Sequence, residues 1–533
     1  VKNSKKVTGP GTGRSSVLVM VGGSILLTLA GKLGALFRDV VLATGFGAGT
    51  ATDAYFVANI VPGLAWAAFY ATIVAVFLPI YLSERENSAL HGQRIAIEAV
   101  RIYTFSGLVV MLATWVLAEP IVAITAPDAA PEVRILAVRL IFIMTLSFAV
   151  TGYVGVQNAL QQANGAYLWP LTVPVINNGL TIFAILIAAR FDNIAIAVGG
   201  ATLGWLVQAP LQRWQTRRFY PRAFGFGVRL KTLRRISLLS WPVMVGIVLD
   251  QANIYIGVAI ASRFGEGAVS YISYSSRLTL FIGNLVSWLV AYFLFPRIAA
   301  SAARKCDKDA GKTLGLGVTL IVGLTVPLLG VAVVYGTDII RLVYGRGAFV
   351  EASVVATAAV FVPHVFGTVF MGVREILNRA FFSYQRTSVP MAIGALAAGI
   401  NLLAGVALSA RFGLPGIAMG TTISATVFVV LQVTVIARWK PELIDRAAMR
   451  HVVALFAAGI AGTVAGVVVA RIAAEWFFLA RLLSGSAIVG LTYIGTVWLA
   501  DRLFSLGIVA SMLRVKDSNR SDHAAVPLDP ETI

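Results

Sequence analysis

Fourteen long apolar stretches follow one another along the 533 residues, and most of the positive charge between them falls in alternate gaps. An α-helix needs about 20 mostly apolar residues to cross the ~30 Å hydrocarbon core of a bilayer. Only helices and closed barrels satisfy every backbone hydrogen bond there. The pattern predicts spans at 17–44, 54–82, 96–118, 134–160, 168–189, 194–213, 236–262, 268–299, 313–335, 352–382, 388–410, 414–437, 450–473 and 483–506. With 58% hydrophobic and 13% charged residues and a mean hydropathy of +0.83, the expected fold class is an all-α integral membrane protein of about 14 helices.

A net charge of +19 would point to a polyanionic partner in a soluble protein. Here its placement follows the positive-inside rule. Lys2, Lys5, Lys6 and Arg14 precede span one. Arg213, Arg217, Arg218, Arg222, Arg229, Lys231, Arg234 and Arg235 follow span six. Arg297, Arg304, Lys305, Lys308 and Lys312 follow span eight, and Arg438, Lys440, Arg446 and Arg450 follow span twelve. The gap after span three carries Glu119, Asp128 and Glu132 instead. Both termini are therefore expected in the cytoplasm. The first stretch is too long for a signal-peptide core and reads as a retained anchor. The single cysteine, Cys306, excludes an intrachain disulfide. No zinc spacing, phosphate-binding loop or Ser/His/Asp arrangement is present. The chain is expected to be no enzyme and to need no cofactor, metal or nucleic acid, and nothing in it demands an oligomer, so a monomer is expected.

The chain also repeats itself. Phe46-Gly47-Ala48-Gly49 closes span one, and Phe264-Gly265-Glu266-Gly267 closes span seven. Thr52 then aligns with Ser270, Phe56 with Tyr274, Asn59 with Arg277, and Ile60 with Leu278. Six spans, an even number, separate the copies, so the repeat is parallel. The expected organisation is a tail at 1–16, a first lobe with its linker at 17–235, a second lobe at 236–449, an appended pair of spans at 450–506, and a polar tail at 507–533 that reads as disordered. Gly47, Gly49, Gly265 and Gly267, with Asp53 at the membrane edge, are candidate structural or gating positions. The plainer reading of each Phe-Gly-x-Gly is a tight turn between helices.

Ionisable residues inside spans cost about 2.5–3.5 kcal/mol each on insertion scales, which makes them functional candidates. Span one has Lys32, Arg38 and Asp39. Span seven has Asp250, span eight Arg277, and span ten Arg374, Glu375, Asn378 and Arg379. Spans four and five add amides, among them Gln157, Gln161, Asn177 and Asn178. Lys32 and Asp39 share a helix face, whereas Arg38 and Asp39, as neighbours, are not expected to face each other. Local explanations exist: Asp53 capping span two, Glu375 pairing with Arg374, and Arg379 and Asn378 snorkelling at the cytoplasmic end. The intramembrane balance is basic, and Arg and Lys together suit a phosphate.

The stretch Gly34-Ala35-Leu36-Phe37-Arg38-Asp39, followed by Phe46-Gly47-Ala48-Gly49-Thr50-Ala51-Thr52-Asp53-Ala54-Tyr55-Phe56, resembles the opening of the MurJ/MviN family of lipid II flippases. The likeness continues through Gln157-Asn158-Ala159, Tyr274-Ser275-Ser276-Arg277-Leu278, Gly345-Arg346-Gly347-Ala348-Phe349 and Phe381-Phe382-Ser383-Tyr384-Gln385. The resemblance implies fourteen helices, with two six-helix lobes arranged as in the related MATE exporters and a final pair lining a groove for a lipid tail. It also implies a cationic cavity for an undecaprenyl-diphosphate-linked saccharide. Carried over, the family's basic positions fall on Lys32, Arg38 and Arg277, and its acidic positions on Asp39 and Asp53. Asn59, Asp250, Arg374 and Glu375 complete the candidate substrate-binding set. The sequence departs from the family where paired arginines and a glutamate usually follow the span-two proline. Here Pro62 leads into Gly63-Leu64-Ala65-Trp66-Ala67-Ala68 and then Ala71-Thr72-Ile73. The expected partners are membrane lipids, a polyprenyl-diphosphate-linked saccharide, and cell-envelope synthesis proteins. Two alternatives stay open: a cation-coupled exporter using Asp39 or Asp250, and a non-transporting scaffold of an envelope polysaccharide complex.

Overall fold

The computed structural model describes residues 14–217, 227–505 and 507, with the backbone alone for 14–21, 249–250, 252–254, 284–285, 288–289 and 291–293. The tails, Arg218, Arg222 and the Asp250 side chain lie outside the described residues. Eighteen α-helices run in chain order among the described residues: α1 (Arg14–Phe46), α2 (Thr50–Ala58), α3 (Ile60–Thr72), α4 (Leu78–Asn87), α5 (Ala89–Val116), α6 (Ala118–Thr125), α7 (Pro131–Thr145), α8 (Phe148–Ala163), α9 (Leu168–Arg190), α10 (Ile194–Thr216), α11 (Leu230–Ala261), α12 (Ala268–Ala303), α13 (Asp307–Tyr344), α14 (Glu351–Ser383), α15 (Ser388–Phe412), α16 (Leu414–Trp439), α17 (Arg446–Ile472) and α18 (Phe478–Phe504). Among the described residues ten helical runs are long and apolar enough to cross a membrane, and the bent pair α7–α8, taken as one span, makes an eleventh. The first, seventh and eighth expected spans are helical as α1, α11 and α12, each of which includes residues outside the side-chain description. The protein is an all-helical, multi-pass membrane protein.

Two expected spans are less regular than hydropathy suggests. Span two, read as one helix, is a 38-residue run over Thr50–Asn87. It is interrupted at Asn59 and by a π-helical turn at Ile73–Phe77. Such turns are rare and concentrate at functional places. Span four bends by 43° between α7 and α8.

Packing divides the chain into two compact units. The first is Val1–Tyr274 with Tyr344–Ser353, and the second is Ser275–Val343 with Val354–Ile533. The expected seventh span, α11, therefore packs with the first six. Within the first unit, small residues bring helices close, as membrane helices require. Gly31 and Gly34 of α1 face Pro174 and Asn178 of α9, and Gly200 of α10 abuts Ala184. Where α5 meets α8 the contact is reciprocal: Gly107 lies against the Phe148 carbonyl and Gly152 against that of Tyr103. The buried core beside them joins Phe69, Ile73 and Phe77 to Ile102, Tyr103 and Leu160.

Polar contacts sort the connections of this unit onto two sides. Arg229 pairs with Glu98 at 2.7 Å, Arg235 with Glu84 at 3.1 Å, and Arg85 donates to the Ala163 carbonyl. The connections after spans two, four and six thus share the basic side. On the other side, Arg263 pairs with Asp128 at 2.9 Å, and the Ala348 amide donates to the Thr44 carbonyl. That alternation is what successive crossings produce.

In the second unit the appended pair α17–α18 is tied to α13. The Tyr335 hydroxyl donates to the Gly466 carbonyl at 2.9 Å where α13 leaves helical geometry. Asp338, 4% exposed, accepts from Arg481 through both oxygens and from Arg341. On the basic side of this unit, Asp307 accepts from Lys440 at 2.6 Å and from the Tyr384 hydroxyl at 2.5 Å. Arg386 stacks 4.3 Å over the Trp439 ring. Three connections expected on one side therefore meet.

Candidate functional site

The first-span charges form a compact group on α1. Arg38 donates from Nε and Nη2 to Asp39 Oδ1, at 3.1 and 2.8 Å. Its Nη1 donates to Asn178 Oδ1 at 3.3 Å, and Asn178 Nδ2 donates back to the Gly31 carbonyl at 3.1 Å. The expectation that Arg38 and Asp39 do not meet is corrected: the guanidinium is long enough to fold back along the helix, and burial favours the charge-assisted bonds. Asp39 is 5% exposed. Lys32 makes no hydrogen bond or ion pair among the described residues, so the pairing with Asp39 considered for it does not form. Asn178 had been visible only as one intramembrane amide among several. Its role as the guanidinium's third contact depends on how α1 and α9 are rotated.

A second group forms where the two repeated turns meet, within the first unit. Asp53 Oδ2 accepts from the Gly267 amide at 2.7 Å, and Oδ1 accepts from the Ser270 amide at 2.8 Å and its hydroxyl at 2.6 Å. Asp53 thus caps the start of α12 and not span two, whose own cap is Gly49. A carboxylate at a helix N-terminus satisfies amides that otherwise have no partner and complements the helix dipole. The reciprocal cap comes from Glu266, whose Oε1 accepts from the Thr50 amide at 3.1 Å and hydroxyl at 2.9 Å. Those two bonds, hydroxyl first, hold the Glu266 carboxyl below its ordinary 4.5.

Residues aligned by the repeat touch one another directly. The Ser270 and Thr52 hydroxyls lie 2.8 Å apart, and the Phe56 and Tyr274 rings meet edge to face at 5.0 Å. Equivalent residues in mutual contact are what a pseudo-two-fold axis through this cluster requires. Gly47 and Gly267 have φ of +64° and +81°, and a Cβ on Gly47 would overlap the Ala348 carbonyl, so both turns demand glycine. Gly265 also has positive φ, at +84°, whereas Gly49 is extended at −169°. The Tyr274 hydroxyl donates to the Gly47 carbonyl at 3.2 Å.

In the second unit Glu375 pairs with Arg379 at 2.7 Å, one helical turn on, and not with Arg374. Residues four apart share a face and adjacent ones do not. Arg379 is therefore held by an ion pair one turn away. Arg374 lies 5.0 Å over the Phe428 ring, and Asn378 accepts from Gln432 at 2.7 Å. Arg277 is half-buried on α12, two residues beyond Ser275, whose hydroxyl lies 2.7 Å from His364 Nδ1. Asn59 is half-buried at the break between α2 and α3. Among the described residues, no group of three or more His, Cys, Asp or Glu side chains could hold a metal ion. The basic groups on α1 can hold an anion, and the turn cluster ties the start of α12 to the start of α2.

Residues 42–488 match the family model described as "Lipid II flippase MurJ". The chain is similar to probable lipid II flippases MurJ of Thermotoga maritima, at 25% identity over 418 residues covering 75% of this chain and 83% of that one, and of Rhizobium tropici, at 25% over 457 residues covering 81% and 83%. Among solved structures it is similar to a lipid II flippase MurJ in an inward closed conformation, with a TM-score of 0.78 at 20% identity, over 90% of this chain and 99% of that one. An inward-facing multidrug resistance MATE transporter of the MOP superfamily aligns with a TM-score of 0.65 at 11% identity, over 78% and 99%. These two likenesses are of fold.

Proposed function

This chain belongs to the lipid II flippase MurJ family, a family of transporters, and on that premise we propose how it moves its cargo. Membership implies flipping of a lipid-linked cell-wall precursor across a membrane. The single observation that carries this reading is the continuous family match over 42–488. The cargo is a polyprenyl-diphosphate-linked saccharide carried from the cytoplasmic to the outer leaflet of a bacterial inner membrane. Both termini lie in the cytoplasm, as the basic connections support. The repeated lobes, 17–235 and 236–449, rock to give alternating access, and α17–α18 guide the lipid tail.

Lys32 and Arg38 grip the diphosphate, and Arg277 is a separate proposed substrate contact in the second unit. Asp39 and Asn178 hold the Arg38 fork in the orientation a phosphate accepts bidentately. Asn59, Asp250, Arg374 and Glu375 complete the proposed lining. The cluster of Asp53, Glu266 and the turn glycines is the outer gate, and its hydrogen bonds part when the carrier opens outward. The exporter alternative rests on fold likeness alone.

The test is translocation of lipid II by purified protein in proteoliposomes, comparing the native chain with Arg38→Ala and Arg277→Ala. Loss of translocation by at least about tenfold in each, with retained folding, is expected for a missing bidentate phosphate contact. Native rates in both variants would remove the cationic grip, and an inactive native protein would remove the flippase reading.

A further inference from the structure

Three aromatic rings stand together in the first unit. Trp66 and Tyr70, one turn apart on α3, are stacked with centroids 5.4 Å apart and planes 8° from parallel. They are 44% and 45% exposed. Trp205 of α10 joins them, its centroid 6.3 Å from that of Trp66 and its plane inclined by 55°. Beside them, Phe69 of α3 and Ile73 of the π turn that follows it are buried in the core.

Depth decides what that stripe can face. Trp66 and Tyr70 fall near the middle of the 38-residue run Thr50–Asn87, and Trp205 in the middle of the 23-residue helix Ile194–Thr216. At 1.5 Å per residue the α3 pair lies roughly 25 Å from either end of its run. Lipid-facing Trp and Tyr concentrate at the two interfaces, where their polar tips are wet. Here neither indole N–H nor the Tyr70 hydroxyl has a hydrogen-bond partner among the described residues. Three unsatisfied donors facing hydrocarbon at mid-membrane are costly. The stripe therefore faces water or a polar ligand.

A stacked aromatic pair with an outer ring face and free donors at its edges complements one chemistry well. A pyranose presents C–H bonds on its faces and hydroxyls around its rim, so the ring lies on the aromatics while the rim meets the donors. An acyl chain offers nothing to those donors. We infer that Trp66, Tyr70 and Trp205 form a stacking platform for the saccharide of the cargo, built from residues other than those that grip the diphosphate. This rests on the reading of the chain as a carrier of a lipid-linked saccharide. It assigns selectivity for the sugar to α3 and α10.

Native mass spectrometry of the full chain in detergent separates the two claims, using lipid II and undecaprenyl diphosphate as paired probes. The double variant Trp66→Leu/Tyr70→Leu should bind lipid II about tenfold more weakly, the scale of losing two ring contacts. Its affinity for undecaprenyl diphosphate should stay at the native level. Trp66→Phe, which keeps a ring without its N–H, should fall between the two. Equal losses for both lipids would assign the patch to the lipid tail or to general packing, and no loss for either would empty it of function. Either result overturns the platform while native binding of lipid II leaves the carrier reading intact. Failure of the native chain to bind lipid II would overturn both.

Discussion

Arg38 shows how much one residue's role depends on neighbours the sequence does not reveal. Its charge was conspicuous inside span one, but its two partners are an adjacent carboxylate and an amide 140 positions away. Replacing Arg38 by Ala strips the buried Asp39 carboxylate of its guanidinium. The expected cost is about 3–5 kcal/mol, the scale for breaking a buried pair from one side. The double variant Arg38→Ala/Asp39→Ala should recover part of that loss, since no charge is then left buried. Thermal unfolding in detergent measures both. A double variant no more stable than Arg38→Ala would show that Asp39 is satisfied by other groups.

At the scale of elements, helix positions follow from hydropathy, and helix contacts follow from glycine. Hydropathy separated α13, α17 and α18 correctly but was silent on how they join. The join is made at Tyr335, where α13 kinks and its hydroxyl reaches the Gly466 carbonyl. A Cβ on Gly485 would overlap the Tyr335 ring and hydroxyl. Gly485→Ala should therefore destabilise the protein by about 1–3 kcal/mol, the usual cost of overpacking. Adding Tyr335→Leu should relieve the overlap, so the pair should be clearly less than additive. Additive effects in a thermal-unfolding cycle would place the strain elsewhere. The break at Asn59 and the π turn at Ile73–Phe77 were not legible from hydropathy, because each alters the local backbone without changing composition. The same run carries Trp66, in the segment where the sequence departs from its family's pattern.

At the scale of the whole molecule, the proposed gate at the reciprocal caps should respond to proton concentration. Glu266 accepts two bonds from Thr50, which hold its carboxyl below the ordinary 4.5. A carboxyl depressed in the closed cluster stabilises closure above its ordinary value, and that contribution fades as the pH falls through the lower value. Labelling of Ala48→Cys in a Cys306→Ser background should therefore rise as the pH falls below 4.5. Glu266→Gln should remove that rise, and Asp53→Ala should raise labelling at every pH by freeing the start of α12. A labelling profile independent of pH in the native cluster would remove Glu266 from the gate.

The membrane class, the approximate place of most helices, the alternation of sides and the internal repeat were all determined by the sequence itself. Each is a sum over local properties, hydropathy along a window or charge within a connection, that no distant contact can reverse. The repeat went further, since aligning Thr52 with Ser270 and Phe56 with Tyr274 named residues that prove to touch. Tertiary structure alone decided which groups satisfy which. It turned Asp53 from a cap on its own span into the cap of α12, moved Glu375 from Arg374 to Arg379, and gathered Trp66, Tyr70 and Trp205 into one face. Those outcomes depend on the rotation of each helix about its axis and on rotamers set by neighbours far along the chain. Composition and spacing carry no record of either.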